Sequence, residues 1–264
     1  MLRITFLGTG GGRFVTISQI VSTGGWILEM DGEMIHVDPG PGAILRAKEC
    51  NVNLRKLTGI IVSHAHLDHY GDLEVVIEAM TYGAKKKRGF LISNEAVIKG
   101  RKDEPPKISP YHLNVLERYT IMKPGMSIKV GNITITATPT KHGDEDGLGF
   151  VFDGSERLGY TGDGEYFEGQ EKYFQGCKYL VLNCMRPKED AWPNHMNSEQ
   201  ARILVEKVKP DVAILAGFGM KMLFGKAHRD AEWIQKETGI KTMAARDGMV
   251  LDFGKARKNL ERFL

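Results

Sequence analysis

The chain has 264 residues, 42% hydrophobic and 26% charged, with a formal net charge of +3. Such proportions belong to a globular protein with a sizeable core and exclude an intrinsically disordered chain. So small a net charge does not by itself imply a nucleic-acid partner, and no apolar run reaches the roughly 18 residues of a membrane-spanning helix.

The N-terminus enters a strand-like run, Leu2–Leu7, with no basic and then apolar leader, so the expected location is the cytoplasm. Gly8-Thr9-Gly10-Gly11-Gly12 follows. It lacks the Gly-Lys-Ser/Thr of a phosphate loop, and Arg13 stands where a dinucleotide fingerprint needs its third glycine. The run reads as a tight turn, with Arg13 a weak candidate for anion contact. Trp26–Met30 and Glu33–Val37 flank Asp31-Gly32 and predict a hairpin. Ala43–Cys50 reads as a helix and Ile60–Ser63 as a buried strand. Leu73, Val76, Ile77 and Met80 share one face of a helix over Asp72–Thr81, with Asp72 in the first turn where a carboxylate favours the helix dipole.

Residues 83–118 show the least regular pattern and carry Lys85, Lys86, Lys87 and Arg88, then Lys99, Arg101, Lys102 and Lys107. Without interleaved aromatic platforms, these read as a solvated basic loop rather than an RNA-binding surface. Hairpins follow: Met126–Val130 with Ile133–Thr138, and Gly149–Phe152 with Leu158–Thr161. The last third alternates: strand Tyr179–Cys184, helix Ser198–Val208 capped by Asn197 or Ser198, strand Val212–Ala216, helix Asp230–Glu237, strand Met249–Phe253. No repeat or linker divides the chain, so a single domain over 1–264 is expected. The mixture of hairpins and strand–helix alternation predicts an α/β fold with helices covering sheets on both sides. Cys50, Cys177 and Cys184 have no C-x-x-C spacing and read as small buried apolar groups in a reducing compartment.

One stretch carries chemistry. His64-Ala65-His66-Leu67-Asp68-His69 packs three imidazoles and a carboxylate just past a buried strand. Imidazole and carboxylate suit the same divalent metals, and a strand end holds loop residues on a rigid scaffold. Further along, His142 follows a strand, Asp163 stands in Gly162-Asp163-Gly164 directly after another, and His195 precedes a helix in Trp192-Pro193-Asn194-His195-Met196. Taken alone, these three would read as an exposed loop histidine, a turn aspartate and a helix-entry histidine. His36 and His112 read as structural. Cys184 ends a strand aimed at this edge and is expected to line the pocket without a base to activate it.

The six-residue block resembles the H-x-H-x-D-H signature of the metallo-β-lactamase superfamily. Similar matches are Leu2–Gly10, His36-Val37-Asp38-Pro39-Gly40, Thr138–His142, Tyr160–Asp163 and Ala245–Met249. The chain looks most like the ribonuclease Z-like and phosphodiesterase-like branch. The resemblance implies a four-layer αββα sandwich with two metals at one edge. It implies that His64, His66 and His142 hold the first metal, that Asp68 and His69 hold the second, and that Asp163 bridges them. Zinc is the default, as one or two ions, with manganese or iron compatible with the carboxylates. The implied catalytic residues are Asp68 and His195, the latter protonating a leaving oxygen. The chain departs from the pattern at Gly217, which stands where the family carries a last metal-binding histidine. His228 is a weak candidate to replace it.

The expected activity is hydrolysis by a metal-activated hydroxide, on a phosphoester or cyclic phosphodiester, with a small-molecule or nucleotide substrate and no membrane partner. The alternatives are an RNA nuclease of the ribonuclease Z type, motivated by the basic residues, and a metal-binding protein with weak or lost catalysis, motivated by Gly217. The basic segment is shorter than the RNA-gripping arm of ribonuclease Z, which counts against the former.

Overall fold

The computed structural model describes residues 1–254. The last ten residues of the expected 1–264 domain lie outside the described residues. In chain order the strands are β1 (Leu2–Phe6), β2 (Trp26–Met30), β3 (Glu33–Val37), β4 (Gly59–Ile61), β5 (Phe90–Ser93), β6 (Arg118–Ile121), β7 (Ser127–Val130), β8 (Ile133–Pro139), β9 (Leu148–Asp153), β10 (Arg157–Tyr160), β11 (Tyr179–Asn183), β12 (Val212–Ala216), β13 (Lys241–Ala244) and β14 (Val250–Asp252). They form two seven-stranded mixed sheets, ordered β14-β1-β2-β3-β4-β5-β6 and β13-β12-β11-β10-β9-β8-β7. The helices are α1 (Arg13–Ser18), α2 (Ala43–Glu49), α3 (Leu67–Tyr70), α4 (Leu73–Met80), α5 (Glu95–Lys99), α6 (Pro110–Asn114), α7 (Ser198–Val208) and α8 (Lys226–Thr238).

Side-chain alternation along the strands builds three cores from this arrangement. Leu2, Ile4 and Phe6 of β1 meet Phe150, Phe152 and Tyr160 between the sheets. Ile27 and Ile60 point the other way, onto Leu73, Val76, Ile77 and Met80 of α4. On the far face Leu180 and Leu182 pack beneath Leu204 and Val205 of α7 and Ile234 of α8. The result is the expected αββα sandwich. Each of the larger side chains, fully withdrawn from water, contributes about 1.5–3 kcal/mol of transfer free energy.

Several elements went unread in the sequence. The irregular segment 83–118 holds β5, α5, α6 and β6. β5 is a four-residue apolar run too short to show a period, and β6 is an edge strand of Arg-Tyr-Thr-Ile that only its parallel pairing with β5 defines. β13 is likewise a polar-leading edge, set by parallel pairing with β12. α8 begins at Lys226, earlier than expected, because Gly225 adopts φ 84° and starts the helix there. Asp72 sits at the α4 N-cap without capping it; its carboxylate instead accepts from Ile44 N at 3.1 Å and ties α2 to α4.

Strand direction decides where the functional groups gather. β1, β3 and β4 run in the same sense, as do β8, β10, β11 and β12. Their C-terminal ends share an edge in each sheet, and Leu148 N bonds Ser63 O across the gap at 3.1 Å. The His64–His69 block follows β4, His142 follows β8 and Asp163 follows β10. Lys85–Arg88 precedes β5, which pairs in parallel with β4. That basic loop therefore lies at the opposite end of the sheet from the histidine block.

Candidate metal centre

The block leaves β4 through Val62-Ser63 and turns into α3, with His66 at its N-cap in extended conformation. This short helix projects Asp68 and His69, while the preceding extended stretch projects His64 and His66. Close backbone approach fixes the turn: a β-carbon on Gly40 would stand 1.9 Å from Asp68 O, so the turn after β3 can press against the block only as glycine. Asp144 adds a second anchor, accepting from Ala65 N at 2.8 Å between the two histidines and pairing with Arg101.

Two donor sets converge. His64 Nε2 and His142 Nε2 each lie 3.0 Å from His66 Nδ1. Their outer bonds set the tautomers. His142 Nδ1 donates to Asn194 O at 2.8 Å. His64 Nδ1 meets Ser63 Oγ at 3.0 Å, and that hydroxyl is committed as a donor to Asp38 Oδ2 at 2.9 Å. Both Nε2 atoms then present lone pairs to the His66 nitrogen, whose single proton can serve only one of them well, whereas a cation among the three would serve all. In the second set His69 Nε2 lies 3.5 Å from Asp68 Oδ2 and 3.4 Å from Asp163 Oδ2. Ligands ~2.1 Å from one tetrahedral ion stand roughly 3.4 Å apart, so both sets have the spacing of a coordination face. Asp163 also groups with His64 and His69, and separately with His142 and His195, all donor atoms of a group within 4.8 Å. It stands between the sets.

Protonation follows. Burial first, then the neighbouring His69, push His64 well below the ordinary histidine value, and burial with His142 lowers His66. Burial alone would raise Asp163, but the charge of His69 and its hydrogen bond outweigh it and hold the carboxyl well below the usual range. Asp68 is lowered in the same way, against burial, by His69. His69 itself is driven well above its ordinary value, against burial, by Asp163, Asp68 and Asp38. The shift favours a protonated His69 ring, one positive charge placed between the two carboxylates.

Support from behind was not foreseen. Asp38, after β3, accepts from His69 Nδ1 at 2.9 Å, from Ser63 N and Oγ, and from Tyr160 OH at 2.6 Å. Gly12 N donates to Asp68 Oδ2 at 2.6 Å, which gives the glycine run a role at the site's edge. The motif around Asp38 was visible, but nothing local marks an aspartate as the partner of a histidine thirty-one residues away.

His195 lies half-buried beside the first set, its ring centroid 4.9 Å from that of His142. Its loop is pinned by Arg186, whose guanidinium stands 4.4 Å over the Trp192 ring, and by the bond of His195 Nδ1 to Pro193 O at 3.1 Å. That leaves Nε2 free. One weak candidate falls away and one expectation is corrected. His228 is exposed on α8 and belongs to none of the three donor groups found among the described residues. Cys184 does not line the pocket: with the opposite parity to Asn183 it faces α7, its thiol 3.5 Å from Ser198 Oγ and pushed up by burial to about 12. Cys177 is buried as expected, but Cys50 is only half-buried.

An αββα sandwich with clustered histidines and aspartates at one sheet edge defines a metallohydrolase-type fold. Residues 33–218 match the sequence profile of the beta-lactamase superfamily domain, and the chain belongs to that superfamily. It is 37% identical over 254 residues, 95% of each chain, to the uncharacterized protein MJ1374 of Methanocaldococcus jannaschii. Its fold is similar to the metallo-β-lactamase fold protein YhfI of Bacillus subtilis, with a TM-score of 0.78 at 19% identity over 95% of this chain and 98% of that one. It is also similar to a diphosphatase of the PhnP family, with a TM-score of 0.72 at 20% identity over 96% and 98% of the two chains.

Proposed function

We propose that this protein hydrolyses a phosphoester or cyclic phosphodiester of nucleotide size, using two divalent cations held by His64, His66 and His142 and by Asp68 and His69, with Asp163 shared. The observation that carries the reading is the pair of adjacent donor sets with bare ring nitrogens and ionised carboxylates. Cations bound there would supply a water acidified toward hydroxide and an electrophile for a phosphoryl oxygen. The residues do the rest. Asp38 fixes the His69 ring, Gly12 fixes Asp68, and Ser63 and Asn194 fix the tautomers of His64 and His142. His195, half-exposed with Nε2 free, is placed to hand a proton to the departing oxygen. Zinc suits a histidine-rich set, and manganese or iron also fits the carboxylates. The likeness to a diphosphatase supports a phosphate substrate. Three free cysteines support a reducing, cytoplasmic setting, and no helix among the described residues is long and apolar enough to cross a membrane.

The nuclease alternative loses the support of the basic loop, since Lys85–Arg88 lies at the far end of the sheet and Arg101 is engaged by Asp144 and Asp146, but the likeness of half the chain to a ribonuclease Z of Methanosarcina mazei keeps it as the second reading. Metal analysis of the purified protein, followed by a screen of phosphodiester, thioester and lactone substrates, tests the proposal. The expected result is metal-dependent turnover of a phosphodiester. Turnover undiminished after chelation overturns it, and preference for a thioester or lactone reassigns the substrate. A steeply salt-dependent gel shift with RNA would favour the nuclease reading.

A further inference from the structure

Gly217 is where the chain lacks the expected ligand, and its surroundings show what fills the space. It follows β12 with φ 67°. A β-carbon built there would stand 2.8 Å from Asn183 Cγ and 3.0 Å from both Asn183 Cβ and Oδ1. Asn183 ends the adjacent strand β11, paired with Ala216, and its parity turns it inward, between the sheets. Its side chain thus lies against the bare backbone of Gly217.

Both protons of the amide are also employed. Asn183 Nδ2 donates to Asp163 Oδ1 at 2.6 Å and to Tyr160 OH at 3.0 Å. The orientation is forced: a carboxylate only accepts, and the Tyr160 hydroxyl already donates to Asp38 Oδ2, so the nitrogen end must face both. Asp38 in turn accepts from His69 Nδ1. The bonds form a ring, His69–Asp38–Tyr160–Asn183–Asp163, whose longest link is the 3.4 Å contact between His69 Nε2 and Asp163 Oδ2. That link is where the second cation of the proposed centre would sit.

We propose that Asn183 is the positioning residue of the second cation site. By binding Asp163 Oδ1 it fixes which carboxylate oxygen faces His69 and Asp68, and through Tyr160 it couples Asp163 to the support of His69. A pre-set Asp163 offsets the ligand missing at 217, and glycine at 217 is what leaves room for the asparagine. The proposal rests on the two-cation reading above.

Titration of the metal-free protein with Co²⁺, followed by its visible absorption and by calorimetry, tests it. The unmodified protein is expected to bind two ions in separable steps. Asn183→Leu keeps the branching at Cγ but removes the donor. It should weaken the second step 10–100-fold, the usual effect of removing an outer-shell partner, and the first, which keeps its three histidines, far less. Gly217→Ala, which pushes the asparagine aside, should weaken the second step similarly. In an Asn183→Ala background it should add no further loss. This pair keeps the test open should Asn183→Leu fail to fold. A single ion in the unmodified protein defeats the two-cation reading and the proposal with it. Two ions with an undiminished second step in Asn183→Leu, or in Gly217→Ala, overturn the proposal alone and leave Asn183 a space-filling residue. Equal loss of both steps makes it a general structural residue and also overturns it.

Discussion

At the scale of single residues, the site depends on donors whose other ends are already committed. His66 and Asp68 show this from opposite sides: the first has its Nδ1 where two lone pairs meet, and the second is locked by Gly12 N. Changing His66→Ala or Asp68→Ala should reduce phosphodiester turnover to the metal-free background, because the nucleophile is lost and not merely a contact. Steady-state rates with saturating Zn²⁺ check this; retention of a tenth of the activity in either variant contradicts the assignment. A separate residue-scale effect comes from His36, fully buried with Nε2 donating to Gly24 O at 2.8 Å. Burial lowers it from 6.5 to about 4, so it stays neutral in the fold while the unfolded chain takes up a proton. Its contribution is complete above about pH 6.5 and is lost as pH falls toward 4, roughly 3 kcal/mol in all. In urea melts across that window, His36→Gln should flatten the pH dependence relative to the unmodified chain. Parallel curves would show that another group sets the slope.

At the scale of elements, the helices are placed by their ends. α7 begins with a reciprocal capping box, Asn197 accepting from Gln200 N at 2.9 Å while Gln200 Oε1 accepts from Asn197 N at 3.3 Å. Because His195 lies two residues before this cap, the helix start also fixes the proposed proton donor. Asn197→Ala should cost about 1 kcal/mol of stability, read as a lower urea midpoint at constant slope. Turnover should fall with it, but far less than in Asp68→Ala. An unchanged midpoint would mean that the bonds from Arg186 and Trp192 hold the loop without the cap. This helix was legible in sequence to its last residue, since capping chemistry and amphipathic spacing are local. β6 and β13 were not, since an edge strand of mixed polarity exists only because a neighbour offers it hydrogen bonds.

At the scale of the whole molecule, two sheets are closed at one edge by groups of like charge or bare lone pairs. Among the described residues, His69 is the histidine whose positive charge Asp68 and Asp163 strongly favour. With metal, the proton behind that charge must leave. Binding should therefore strengthen as pH rises above the ordinary histidine range and should release protons, measurable as a buffer-dependent calorimetric heat. Chelation should lower the melting temperature, and Zn²⁺ at about 100 times its Kd should restore roughly 2.7 kcal/mol, or about 5–10 °C for a chain of this size. A melting curve indifferent to both chelator and zinc would exclude a metal linking the two sheets.

The sequence by itself determined the hairpins, the long helices, the layered α/β class and the candidate donors His64, His66, Asp68, His69, His142, Asp163 and His195. Most of these are written locally, in periodicity, turn residues or the dense His64–His69 motif, while His142, Asp163 and His195 stood out only through the family resemblance. The resemblance implied how the donors divide into two sets, but only the tertiary structure brought them within reach of one another, because that depends on strand direction bringing the ends of β4, β8 and β10 to one edge. It also turned Cys184 away from the site and Asn183 into it, since one residue of strand parity exchanges the two faces. It removed His228 and the basic loop from consideration by placing them elsewhere. Asn183 stayed invisible beforehand for the same reason: an asparagine at a strand end acquires its role only when Gly217, Tyr160 and Asp163 are folded around it.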